Sequence, residues 1–133
     1  MLTRTTCERE ITGLHSFFAD WHRGEADSDD LGRITQALAP EFEMVTPAGN
    51  ILDRGMVLDG LRETHGTTDE EFDIDIRDVE VLAQFDDHAL VRYEEWQTGD
   101  EGAEGRISTV LFRSDGQAPE GVVWVALQET ALS

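Results

Sequence analysis

A chain of 133 residues is long enough to bury a sizeable core and fits one domain, residues 1–133, with no room for a second. Its 29 acidic residues outweigh 10 basic ones, all of them Arg, for a formal net charge of −19. A field of that sign repels phosphate backbones and anionic headgroups, which speaks against partners of nucleic acid or membrane surface.

The acidity has two readings, adaptation to molar salt as in a halophile's cytoplasm, or a GC-rich genome that favours Arg over Lys. No apolar run approaches the roughly 20 residues of a membrane span, and the N-terminus lacks a signal peptide's hydrophobic core. The lone Cys7 excludes an internal disulfide. A cytoplasmic setting is expected.

Thr5 and Glu8 have capping-box spacing, and Cys7, Ile11, Leu14, Phe18 and Trp21 then recur at gaps of four and three. That pattern predicts a long amphipathic first helix, ended by Gly24. The acidic run Glu25 to Asp30 reads as a loop, and Leu31, Ile34 and Leu38 as the stripe of a second helix stopped by Pro40. Phe42, Met44 and Thr46 alternate with Glu43 and Val45, as in a half-buried strand, and Pro47 to Asn50 supplies a reversal. After a second extended piece, Asp53 caps a third helix over Arg54–His65, closed by Gly66.

From Phe72 to Ile76 apolar residues and carboxylates alternate strictly. The phase slips at Arg77 and Asp78, because Val79 and Val81 continue in the opposite register, and a β-bulge there keeps both apolar sets inward. Asp86 and Asp87 form a turn before a strand over His88–Thr98. An exposed tip over Gly99–Gly105, a strand over Arg106–Arg113, a loop over Ser114–Gly121 and a final strand over Val122–Leu132 complete the chain. Segregated helices and hairpin-linked strands make the fold class α+β.

This element order, together with His22-Arg23-Gly24 before an acidic loop, Ala39-Pro40-Glu41-Phe42 leading into the first strand and Trp124-Val125-Ala126-Leu127-Gln128-Glu129-Thr130 in the last, resembles the nuclear transport factor 2-like (NTF2-like) superfamily. The chain is most similar to its SnoaL/ketosteroid-isomerase-like branch. The resemblance implies three helices packed on a strongly curved, mostly antiparallel sheet that forms a cone, the cystatin-like architecture. It also implies a homodimer and a small, largely apolar ligand in the cone, with no cofactor, and acid-base isomerase, cyclase or lyase chemistry on a carbonyl compound as the reaction class. Matching residues puts Phe17 at the place of the isomerases' oxyanion-hole tyrosine and Thr46 at that of their general-base aspartate. Neither supplies the required group, so that isomerase mechanism is not expected. A histidine that many relatives carry in the last strand is replaced around Ala126 and Gln128.

Arg92, Glu94 and Trp96 share one strand face and would give the cone an anion clamp, a carboxylate and an aromatic wall. The alternative places that face outside, with Arg92 and Glu94 as an ion pair. Glu94 and His65 are the candidate catalytic bases; His65 alternatively binds backbone carbonyls at its helix end. Arg92, Trp96, Thr46, Arg54, Phe17, Trp21 and Gln128 are the candidate ligand-binding residues, with Trp21 equally a core residue and Arg54 equally a surface pair. No metal site is expected, since His15 and His22 stand seven residues apart on a helix, too far for one ion. No phosphate loop, dinucleotide fingerprint or nucleophile elbow occurs. The rival function is a non-catalytic homodimeric association module working through an apolar sheet face of Val91, Tyr93, Thr109, Leu111, Val123 and Val125.

Overall fold

The computed structural model describes residues 2–100 and 102–132. Helix α1 spans Arg4–Arg23, and its N-cap is Thr3, whose hydroxyl accepts from the Thr6 amide at 3.1 Å. The cap lies two residues ahead of the expected Thr5 because Thr3 is the last residue with extended backbone, φ −99° and ψ 159°. Gly24, at φ 78°, closes the helix. A Cβ at this glycine would stand 3.2 Å from the Gly66 backbone, so the end of α1 passes the turn at Gly66 where glycine is the residue that fits.

Helix α2 is a single turn, Gly32–Thr35, shorter than the expected helix, and β1 (Leu38–Val45) begins before Pro40. Pro40 therefore sits inside a strand. It is tolerated because the pairing of β1 with the last strand shifts register between Leu38 and Glu43, where no ladder donor is needed. The short β2 (Ile51–Asp53) folds back on β1, and the Asp53 carboxylate caps α3 (Arg54–Arg62) by accepting from the Met56 amide at 2.9 Å. Helix α3 ends at Arg62 rather than His65, with turns carrying the chain to Gly66.

Four long strands follow: β3 (Asp73–Phe85), β4 (His88–Gly99), β5 (Gly102–Ser114) and β6 (Val122–Ala131). The bulge in β3 lies where the phase slip predicts it, between Arg77 and Glu80, with Asp78 at φ 56°. The expected tip over Gly99–Gly105 is mostly strand, since β5 starts at Gly102; Glu101 of that segment lies outside the described residues. The six strands form one sheet in the order β2-β1-β6-β5-β4-β3, antiparallel except for β1 beside β6.

The sheet closes around α1, and the core lies between them. Val91 and Tyr93 of β4, Val110 and Phe112 of β5 and Trp124 of β6 face Cys7, Ile11 and Leu14 of α1. Glu10 is wholly buried among them. It binds the Arg33 guanidinium at 3.0 Å and accepts from the Trp124 indole at 2.7 Å, tying α1, α2 and β6 together. Burial pushes the Glu10 carboxyl up, against the pull of Trp124 and Arg33. Cys7 is unpaired and buried, its thiol pushed up to about 11 by burial.

Candidate functional site

Strand alternation puts Ala89, Val91, Tyr93, Glu95 and Gln97 on one face of β4, and that face, richer in apolar residues, turns inward. Between it and the helices lies a cavity of about 200 Å³. Its walls are largely apolar, with Phe18 of α1, Ile34 of α2, Phe42 of β1, Val57 of α3 and Trp124 of β6 among them. Its polar groups are Tyr93, Glu95, Gln97, His15, His22, Arg106 and Glu129.

Most of these polar groups are committed to one another. His15 Nδ1 stands 2.7 Å from the Ile11 carbonyl and Nε2 stands 3.0 Å from Glu95 Oε1. Both partners are acceptors, so both ring nitrogens carry protons and His15 is an imidazolium. Burial opposes that charge, but the hydrogen bond and attraction of Glu95 outweigh it and hold the His15 pKa up. Burial likewise opposes the Glu95 carboxylate, yet His15 and Gln97 bring it down to about 2. Gln97 Nε2 donates to Glu95 Oε2 at 2.7 Å, filling the second carboxylate oxygen.

A second pair joins neighbouring strands, Arg106 donating to Glu129 Oε1 at 3.2 Å. Burial raises the Glu129 pKa, Arg106 lowers it, and the Glu95 charge raises it further. His22 differs from His15. Its Nδ1 faces the Thr64 carbonyl at 3.4 Å, which places the proton there, and burial lowers its pKa. Among the described residues its Nε2 has no hydrogen-bond partner, so His22 keeps a lone pair that His15 lacks. Tyr93, at the cavity wall, and Ser108, opposite it on β5, are both buried, and their hydroxyls answer each other rather than any further group among the described residues. Among the described residues no group of three His, Cys, Asp or Glu side chains is placed to hold a metal ion.

None of the nine residues expected at the site lines this cavity. Arg92, Glu94 and Trp96 belong to the opposite face of β4, which corrects the expectation that this face lines the cone. Arg92 pairs with Glu80 at 2.8 Å in the open, rather than with Glu94. Trp96 donates to Glu94 at 2.9 Å, carries the Arg77 guanidinium 5.0 Å from its ring centre and packs on Gly105. Arg54 holds the Leu38 and Thr35 carbonyls at 3.4 and 2.7 Å, a brace for the α2–β1 junction. His65 binds the Ala26 carbonyl at 2.6 Å and packs edge-on against Trp21, 4.6 Å between ring centres.

Trp21 is core, its indole donating to the Leu61 carbonyl at 2.8 Å, and Phe17 lies half-buried against it. Thr46 closes the β1–β2 turn, its hydroxyl accepting from the Asn50 amide at 3.1 Å. Gln128 is exposed on the outer face of β6 beside Leu90 and Thr109. The apolar face proposed for association mixes two sides of the sheet: Val91, Tyr93 and Val123 are buried, whereas Thr109 and Leu111 border an outer groove.

The groups at the cavity were visible as polar residues in apolar positions. His15 follows Ile11 by four within the buried stripe of α1, and Glu95 continues the series Ala89, Val91, Tyr93. A buried charge without function or partner is too costly to persist, so such breaks mark a network.

Residues 7–133 match the family described as sucrose-6-phosphate phosphohydrolase C-terminal. Among solved structures, an NTF-2 like protein of unknown function from Pseudomonas aeruginosa is 32% identical, with a TM-score of 0.88 over 96% of this chain and 99% of that one. An NTF2-like protein of unknown function in nutrient uptake from Rhodospirillum rubrum is 19% identical, TM-score 0.68, covering 99% of this chain and 100% of that one. The CaMKII hub of S. rosetta is 16% identical, TM-score 0.76, covering 96% and 95%. These last two likenesses are of fold. No protein among the curated ones matches the chain. Among the described residues no helix is long and apolar enough to cross a membrane.

Proposed function

The chain belongs to the sucrose-6-phosphate phosphohydrolase C-terminal family, with an NTF2-like fold, and from that premise we propose that its cone binds a small, largely apolar molecule. The carrying observation is the cavity of about 200 Å³, apolar over most of its wall and polar at one side. A cavity of about 150 Å³ takes benzene, so this one suits a ligand of roughly six to ten heavy atoms. Its ion pairs neutralise each other, which favours a ligand without charge.

Acid-base turnover of a carbonyl compound is the finer form of this proposal, and its base would be His22. His15 has no lone pair to offer, and Glu95 is held ionised by two donors. Thermal shift and calorimetry against small alicyclic and aromatic ketones test the binding. Wild type should be stabilised as ligand exceeds its Kd. Val57→Phe, which fills the cavity from α3, should lose the shift, while Arg92→Ala on the outer face should keep it. Equal shifts in wild type and Val57→Phe would remove the cone from the reading.

The outer groove supports a second reading, assembly as a homodimer. It measures about 310 Å³, is bordered by Val45, Ile51, Leu90 and Leu111, and leaves Ile51 66% exposed. A hub from S. rosetta shares the fold. Light scattering in molar KCl should find a dimer that Leu90→Glu converts to monomer; a wild-type monomer sinks the assembly reading.

A further inference from the structure

Resting on the cone as a small-molecule site, we propose that its ligand carries a hydroxyl group besides an apolar body, and that Glu129 and Arg106 hold this hydroxyl. Glu95 of β4, Arg106 of β5 and Glu129 of β6 lie side by side on the inner face of the sheet. Arg106 stands directly opposite Glu95, and Glu129 is its diagonal neighbour, two residues along β6 from its partner Ala131. All three border the cavity.

The two carboxylates are answered unequally. Both oxygens of Glu95 are taken, one by His15 at 3.0 Å and the other by Gln97 at 2.7 Å. Glu129 is as deeply buried, its side chain 7% exposed, yet it has a single bond, from Arg106 Nη1 to Oε1 at 3.2 Å. That is long for a charge-assisted pair, which normally closes to about 2.7–2.9 Å. Oε2 accepts from no group among the described residues and is not sealed in by its neighbours, so it keeps surface open to the cavity that Glu129 lines. A carboxylate oxygen held away from bulk water favours any donor that reaches it.

Arg106 is half-buried, and beyond Nη1 its N–H groups meet no acceptor among the described residues. The open side of the pair therefore offers one acceptor beside further donors. A hydroxyl is the smallest group that answers both, its O–H donating to Glu129 Oε2 and its oxygen accepting from Arg106. A carbonyl accepts from Arg106 and leaves Oε2 unmet. An ammonium donates to Oε2 but stands beside the Arg106 guanidinium and the His15 imidazolium, and a carboxylate would face both Glu95 and Glu129. Water makes the same two bonds as a hydroxyl, so an alcohol displaces it without loss where a carbonyl compound does not.

Titration calorimetry with benzyl alcohol, benzaldehyde, ethylbenzene and benzylamine, molecules of one size, tests the assignment. Wild type should bind benzyl alcohol about tenfold tighter than benzaldehyde, the worth of one hydrogen bond to a charged group. Benzylamine, a cation at neutral pH, should bind more weakly than the alcohol. Glu129→Gln keeps an oxygen for Arg106 and turns the open position into an N–H donor. That variant should bind the alcohol and the aldehyde within about twofold of each other, and ethylbenzene as wild type does, which shows the cone intact.

Equal binding of alcohol and aldehyde by wild type, tighter binding of benzylamine, or a Glu129→Gln protein that binds ethylbenzene and keeps the wild-type preference would each overturn the hydroxyl anchor and leave the cone as a binding site. The first two comparisons use wild type alone, so they decide the matter if substitution at Glu129 unfolds the protein. Binding of none of the four by wild type would overturn the cone itself.

Discussion

His15 Nε2 lies 3.0 Å from Glu95 Oε1, the two side chains only 5% and 6% exposed, so helix α1 and strand β4 are joined by an ion pair inside the core. Its contribution depends on pH from both sides. The Glu95 pKa falls to about 2 on folding, so its share of stability is present above the ordinary carboxylate pKa and lost as pH falls from there towards 2. The His15 pKa is raised, so its share is complete below the ordinary imidazole value and lost as pH rises through the higher folded one. The melting temperature should therefore be highest between these limits. In Glu95→Gln, which removes one partner of a buried pair, both dependences should shrink and stability should drop by about 3–5 kcal/mol. Calorimetry of the two proteins from pH 3 to 9 checks this, and parallel pH curves for both would show that the pair is not ionised.

On the outer side of the same strand, Trp96 lies flat on Gly105, its strand partner in β5. A Cβ at Gly105 would come within 2.8 Å of the indole ring, so Gly105→Ala has to move Trp96 and loosen its stack with Arg77. Overpacking of this kind costs about 1–3 kcal/mol. The near-ultraviolet circular dichroism of the indole should change with the melting temperature, while ligand binding in the cone, on the other face, should not. An unchanged spectrum and melting temperature would mean the ring has room.

The fold was legible in the sequence wherever apolar spacing and special residues agreed. The Asp53 cap and the bulge at Arg77–Glu80 were local signals that tertiary packing left alone. Pro40 misled, because a proline that halts a helix also fits a strand at a register shift. The site was harder to place. Arg92, Glu94 and Trp96 gave one face of β4 the look of a pocket, yet the face holding Ala89, Val91 and Tyr93 is the one buried. A slip of one residue in that judgement exchanges the two faces, which put Arg92 and Glu94 in the cone and left Tyr93 and Glu95 out. Arg54 and His65 found backbone carbonyls that no sequence spacing reveals, 16 to 39 residues away.

Glu10 is the other buried carboxylate whose loss should be felt. Glu10→Ala strands the Arg33 guanidinium and the Trp124 indole N–H, and should cost about 3–5 kcal/mol with a shift in tryptophan fluorescence. Glu10→Gln keeps an acceptor for Trp124 and removes a charge that burial disfavours. It should cost far less. Chemical denaturation of both variants checks the ordering, and equal losses would mean that the Arg33 charge pair, rather than acceptor geometry, holds the three elements together.

The whole-molecule charge gives the last expectation. Ten Arg residues leave most of the 29 carboxylates without a cation, so like charges repel across the folded surface. Potassium chloride at 1 M shortens the screening length to about 3 Å, from about 10 Å at 0.1 M, and should raise the melting temperature. The buried pairs His15–Glu95 and Glu10–Arg33 are screened much less, so their variants should show the same salt increment as wild type. A melting temperature indifferent to salt would separate the acidity from stability and favour the compositional reading of an Arg-only, carboxylate-rich chain over salt adaptation.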